Sequence, residues 1–65
     1  MEDTIKQALE LHARGQIAKH KANVLIYLKN PVGIGEHPGV IDAVEEEIQA
    51  IAKYHDQLEV LSTYF

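Results

Sequence analysis

Apolar residues recur at alternating steps of three and four along two stretches of this chain, and a segment rich in Gly and Pro separates them. The first stretch carries Ala8, Leu11, Gly15, Ala18, Ala22 and Leu25. The second carries Ile41, Val44, Ile48, Ile51, His55, Leu58, Ser62 and Phe65. This spacing puts each set on one side of an α-helix, as in a coiled-coil seam. Between them lies Asn30-Pro31-Val32-Gly33-Ile34-Gly35-Glu36-His37-Pro38-Gly39. The pattern predicts an all-α fold: an antiparallel two-helix hairpin forming one domain over residues 1–65. Helix 1 is expected at about 4–29, the loop at 30–38 and helix 2 at about 39–63.

Local chemistry supports these limits. Thr4-Ile5-Lys6-Gln7 fits a capping box, in which the first hydroxyl and the fourth side-chain amide satisfy each other's backbone donors. Asn30 precedes Pro31, and a residue before proline is pushed out of the helical region, so helix 1 should end there. Proline is tolerated in a first helical turn, which suits Pro38 at the start of helix 2.

An antiparallel register sets Leu25 opposite Val44, Ala22 opposite Ile48, Ala18 opposite Ile51 and Gly15 opposite His55. Small residues would then meet large ones, and Gly15 would leave room for the His55 ring as a polar seam residue that fixes register. Each helix also carries a second stripe: Ala13, Ile17, Val24 and Leu28 on helix 1, and Ala43, Ala50, Tyr54 and Leu61 on helix 2. A hairpin seam uses one pair of stripes. The second pair is therefore expected to form an interaction face, on which two hairpins would dimerise into a four-helix bundle. A homodimer or higher homo-oligomer is the expected state, and a different protein partner is the alternative.

Size sharpens this expectation. A chain of 65 residues usually needs a disulfide, a metal or a partner to reach comfortable stability, and it contains no cysteine. The net charge of -4 argues against a nucleic-acid footprint. The longest apolar run, residues 24–28, is far short of a membrane span. The acidic, polar start Met1-Glu2-Asp3-Thr4 does not read as a signal peptide. Residues 1–30 hold five of the six Lys and Arg, whereas residues 40–65 hold six acids against Lys53 alone. That asymmetry suits charge complementarity across an antiparallel pair.

Candidate chemistry is sparse. His55 and Glu59 are spaced i,i+4, but there is no second such pair and no Glu-x-x-His, so no metal ligands are assigned. His12 and His20 read as solvated. Gly33-Ile34-Gly35 lacks the third glycine of a dinucleotide fingerprint, because position 38 is proline. The loop reads instead as an ordered cap, in which Pro31 opens a turn, Gly33 or Gly35 supplies φ > 0, and Val32 and Ile34 plug the hairpin end. No nucleophile stands beside a base, so the chain does not read as an enzyme, and no cofactor is assigned.

The stretch from His12 to Leu61 resembles small proteins of unknown function from T4-like tailed phages of marine bacteria. The resembling residues are His12-Ala13-Arg14-Gly15, Lys19-His20, the loop from Asn30 to His37, and the acidic helix around Glu45-Glu46-Glu47-Ile48. The resemblance implies a viral origin and location in the host cytoplasm or the virion. It supplies no activity. The expected function is a non-enzymatic structural or interaction protein, such as a phage assembly or accessory factor. A regulatory adaptor binding a host or phage protein through its apolar face is the alternative, and a metal-binding helical bundle comes third.

Overall fold

Both heptad stretches fold as helix. The computed structural model describes residues 2–29 and 38–65. Helix α1 spans Glu2–Lys29 and α2 spans Pro38–Tyr64. Thr4 thus lies inside α1 rather than at its cap, and Asp3 joins it in the first turn, where a negative charge favours the helix dipole. Lys29 closes α1 with the opposite charge beside the C-terminal carbonyls. Pro38 opens α2, where its fixed φ suits the helix and its missing N–H leaves no bond unmade. The proposed cap residues Pro31, Val32, Gly33, Ile34 and Gly35 lie outside the described residues.

The two helices pack against each other along their length. Helices of 28 and 27 residues are about 40 Å long at about 1.5 Å per residue. The molecule measures 51 × 15 × 12 Å, with a radius of gyration of 15.1 Å. A compact chain of this length would have a radius of about 11 Å. A rod two helices wide can enclose very little: among the described residues, Ala13 alone is a fully buried apolar residue, at 0% exposure.

Contacts along α1 advance as those along α2 recede. His12 meets Tyr54, and His20, further along α1, meets Glu47, earlier on α2. This register places Ala13 level with Tyr54 and Tyr27 level with Val40. The side chains turned inward include Ala13, Ile17, His20, Asn23, Val24 and Tyr27 on α1, and Val40, Ala43, Glu47, Ala50, Tyr54 and Leu61 on α2, with Val44, Ile51 and Leu58 at the seam edge.

The expected seam is therefore corrected. On α1, every member of the first stripe (Ala8, Leu11, Gly15, Ala18, Ala22 and Leu25) is exposed. On α2, only Val44, Ile51 and Leu58 of the first stripe are half-buried, while Ile41, Ile48, His55, Ser62 and Phe65 are exposed. The reason is area. Ile17, Val24 and Tyr27 remove more apolar surface from water than Gly15, Ala18 and Ala22 can, at about 25 cal/mol per Å². Gly15 makes no room for His55: a Cβ built there meets no atom within 4 Å.

Candidate interaction surface

The residues first expected on an outer face lie mostly between the helices. Ala13 is buried, Ile17 and Val24 are half-buried, and so are Ala43, Ala50, Tyr54 and Leu61. Leu28 alone of that set is exposed, at 60%. The surface open to a partner is thus the opposite one. On α1 it carries Leu11, Leu25, Ala8, Gly15, Ala18 and Ala22, flanked by Ile5 and Ile26. At heptad spacing this stripe lies nearly diametrically across the helix from Ala13, Ile17 and Val24.

At the end where α1 begins and α2 finishes, Ile5, Leu9, Leu61 and Phe65 line an open groove of about 480 Å³, with Asp3 and Lys6 at its edge. On α2, Ile41, Ile48 and Val60 are exposed as well. Single exposed apolar side chains are ordinary, but successive ones along a helix form a patch of the kind that marks interaction sites.

The seam carries a polar layer that periodicity alone did not reveal. The His20 Nδ1–H donates to Glu47 Oε2 at 2.5 Å, and Asn23 Nδ2–H donates to the same oxygen at 3.1 Å. His20 is therefore paired across the seam rather than solvated, and both it and Glu47 are about one-fifth exposed. The hydrogen bond from His20, followed by that from Asn23, holds the Glu47 carboxyl below its ordinary value; these bonds outweigh the cost of partial burial. The signal was present in the spacing: His20 stands one heptad after Ala13 and one before Tyr27, while Glu47 stands midway between Val40 and Tyr54.

The other histidines differ. His12 places its ring edge-on to Tyr54, with centroids 5.7 Å apart. Lys53 Nζ lies 5.1 Å from the centre of the Tyr54 ring, within cation–π range. His55, expected in the seam, is instead exposed, with Nε2 3.4 Å from Glu59 Oε1 on the same helix. The polar group at the seam is thus the layer of His20, Asn23 and Glu47, not His55.

Among the described residues, no group of three or more His, Cys, Asp or Glu is placed to hold a metal ion. Nor is any helix long and apolar enough to cross a membrane. No protein-family profile, curated protein or solved structure matches this chain.

Proposed function

We propose that this protein is a small non-enzymatic structural or interaction protein: an antiparallel helical hairpin that completes itself by association, most simply as a homodimer forming a four-helix assembly. The observation that carries this reading is the ratio of exposed to enclosed apolar side chains. Ala13 is the sole fully buried apolar residue described, whereas Ile5, Leu11, Ile26, Leu28, Ile41 and Ile48 each expose more than half of their surface. The accessible surface is 5213 Å². A compact protein of 7.3 kDa would expose about 4200 Å². The excess is comparable to the roughly 800 Å² that each partner contributes to a standard interface. Resemblance to phage proteins makes an assembly or accessory role in an infected cell the corresponding setting.

Sedimentation equilibrium over a wide concentration range tests the reading. A mass of two chains, or a larger defined multiple, is expected at micromolar concentration. A mass of one chain at every concentration overturns self-association and leaves the apolar face to a different protein.

A further inference from the structure

We infer that one broad side of the hairpin is the self-association surface: a second copy packs there about a two-fold axis parallel to the rod, so that α1 of each copy lies on α2 of the other. The inference rests on the self-association proposed above and names its face and topology.

The two broad sides of the hairpin differ. Lys6, Glu10 and Arg14 line a depression of about 200 Å³ together with Leu58 and Ser62, so these residues of α1 and α2 share one side. Heptad spacing carries that side along the rod. On α1, Glu10 is followed by Ile17 and Val24, and Arg14 by Lys21 and Leu28. On α2, Leu58 is preceded by Ile51 and Val44, and Ser62 by His55, Ile48 and Ile41. Burial follows the same columns. Ile17, Val24, Val44, Ile51 and Leu58 are half-buried beside the seam, whereas Leu28, Ile41 and Ile48 are 60%, 63% and 52% exposed. The corresponding columns of the other broad side carry Gln16, Asn23 and Gln57, then Lys19, Glu46 and Lys53. One side is thus apolar over most of its length and the other is largely polar.

Two observations name a second copy as the occupant. The first is charge. Arg14 and Lys21 edge the α1 half of this side, and Glu45 and Glu59, one column beyond Ile41 and Ile48, edge the α2 half. A two-fold axis parallel to the rod sets α1 over α2 of the second copy. Lys21 then comes within about one turn of its Glu45, and Arg14 within about one turn of its Glu59. An axis across the rod sets α1 over α1 instead, bringing Arg14 to Lys21 and Glu45 to Glu59. Unlike charges select the first arrangement. The outer stripe of α1 offers no such match, because Arg14 and Lys21 flank it on one side and Lys19 on the other.

The second observation is area. The side measures 51 × 15 Å, on the order of the roughly 800 Å² that each partner contributes to a standard interface. Its apolar residues also lie in layers. In the register of the seam, Ile17 is level with Ile51 and Val24 with Val44. A second copy closes each half-open pair into a layer of four branched side chains, as in a four-helix bundle. Glu10, at the polar end, has Lys6 and Arg14 one turn away on either side of its own helix.

Sedimentation equilibrium of designed variants tests the face and the topology, with far-UV circular dichroism reading helix content. Ile48→Glu changes a side chain that is half exposed in the single chain, and the dimer dissociation constant should rise at least tenfold with helix content retained. Ile41→Ser, at the most exposed apolar position of this side, repeats the measurement should Ile48→Glu lose helix. Leu11→Glu, on the outer stripe of α1, should leave association unchanged. Lys21→Glu should weaken the dimer, and adding Glu45→Lys to it should restore the affinity. Unchanged association in Ile48→Glu and Ile41→Ser, or dissociation in Leu11→Glu alone, places the dimer on another face and overturns the inference while self-association stands. A tighter dimer in Lys21→Glu means α1 over α1 and overturns the topology. Monomeric mass for the unmodified chain at every concentration overturns both the inference and the self-association on which it rests.

Discussion

On α1, the stripe of Ala13, Ile17, His20, Val24 and Tyr27 packs against α2, whereas Ala8, Leu11, Gly15, Ala18, Ala22 and Leu25 face away from it. Both keep the same alternation of threes and fours. The inner stripe combines larger apolar side chains with a polar layer that has its own acceptor on α2. The outer stripe has small residues at most positions and no polar member. Period therefore says that a helix has a sticky side; side-chain volume and polar pairing decide which neighbour that side meets. The stripe that packs against the other helix is the one whose side chains fill the gap between them, while the stripe of small residues is left exposed.

The largest break in this comparison comes from placing the same charge in each stripe. Ala13→Asp puts a carboxylate with no partner at the one fully buried apolar position described. It should cost about 3 kcal/mol or more, enough to unfold a chain with this little core. Ala18→Asp lies on the open face and should cost under about 1 kcal/mol, through helix propensity alone. Far-UV circular dichroism with denaturant, at a concentration where the chain is monomeric, reads both. Equal losses would mean that the two stripes share the burial evenly.

Much of the architecture was legible. Two helices and their joining segment follow from heptad spacing, proline positions and the apolar content of each stretch. The choice of seam was not, because each helix offers two stripes of one period, and a rotation of about half a turn on α1 and little more than a quarter turn on α2 exchanges them. Gly15 opposite His55 looked like a small residue accommodating a ring, but the same small residue leaves that stripe with little area to bury. The better guide was polar. His20 and Glu47 interrupt two otherwise apolar series, Ala13 to Tyr27 and Val40 to Tyr54, at matching distances from the turn. A pair of interruptions that can bond each other identifies two stripes that face each other.

Acidification tests that layer. The Glu47 carboxyl is held below its ordinary value of 4.5 by the bonds from His20 and Asn23. The folded chain therefore binds fewer protons there than the unfolded chain. The resulting stabilisation is present above pH 4.5 and is lost as the pH falls through the lowered folded value. Melting temperature should drop over that acid range, and Glu47→Gln should flatten the drop. An unaltered acid profile in Glu47→Gln would assign the sensitivity to other carboxylates and remove the layer from the energetics of the seam.

A gentler probe of the outer stripe is Gly15→Ala. No atom lies within 4 Å of the added methyl, and the backbone there is ordinary helix. In the dilute single chain the substitution should stabilise by up to about 1 kcal/mol, mainly by restricting the unfolded backbone. Thermal melting at that dilution gives the value. A loss of stability would show that Gly15 is already in contact with something, and so return this stripe to the interior.

The smallest effect is expected where two histidine–glutamate pairs are compared. His20 reaches Glu47 across the seam and is about one-fifth exposed, whereas His55 reaches Glu59 along one helix with both side chains about two-thirds exposed. A contact of this kind along an exposed helix face exchanges readily with water and typically contributes no more than about 0.5 kcal/mol. His55→Ala should therefore change stability by less than that amount, and alanine's higher helix propensity can offset even this loss. His20→Ala should cost more, because it removes both the bond to Glu47 and the ring's packing between the helices. Denaturant unfolding of the two variants side by side decides the matter. A larger loss at His55 would restore it to the seam and shift the register of the helices toward the one that pairs it with Gly15.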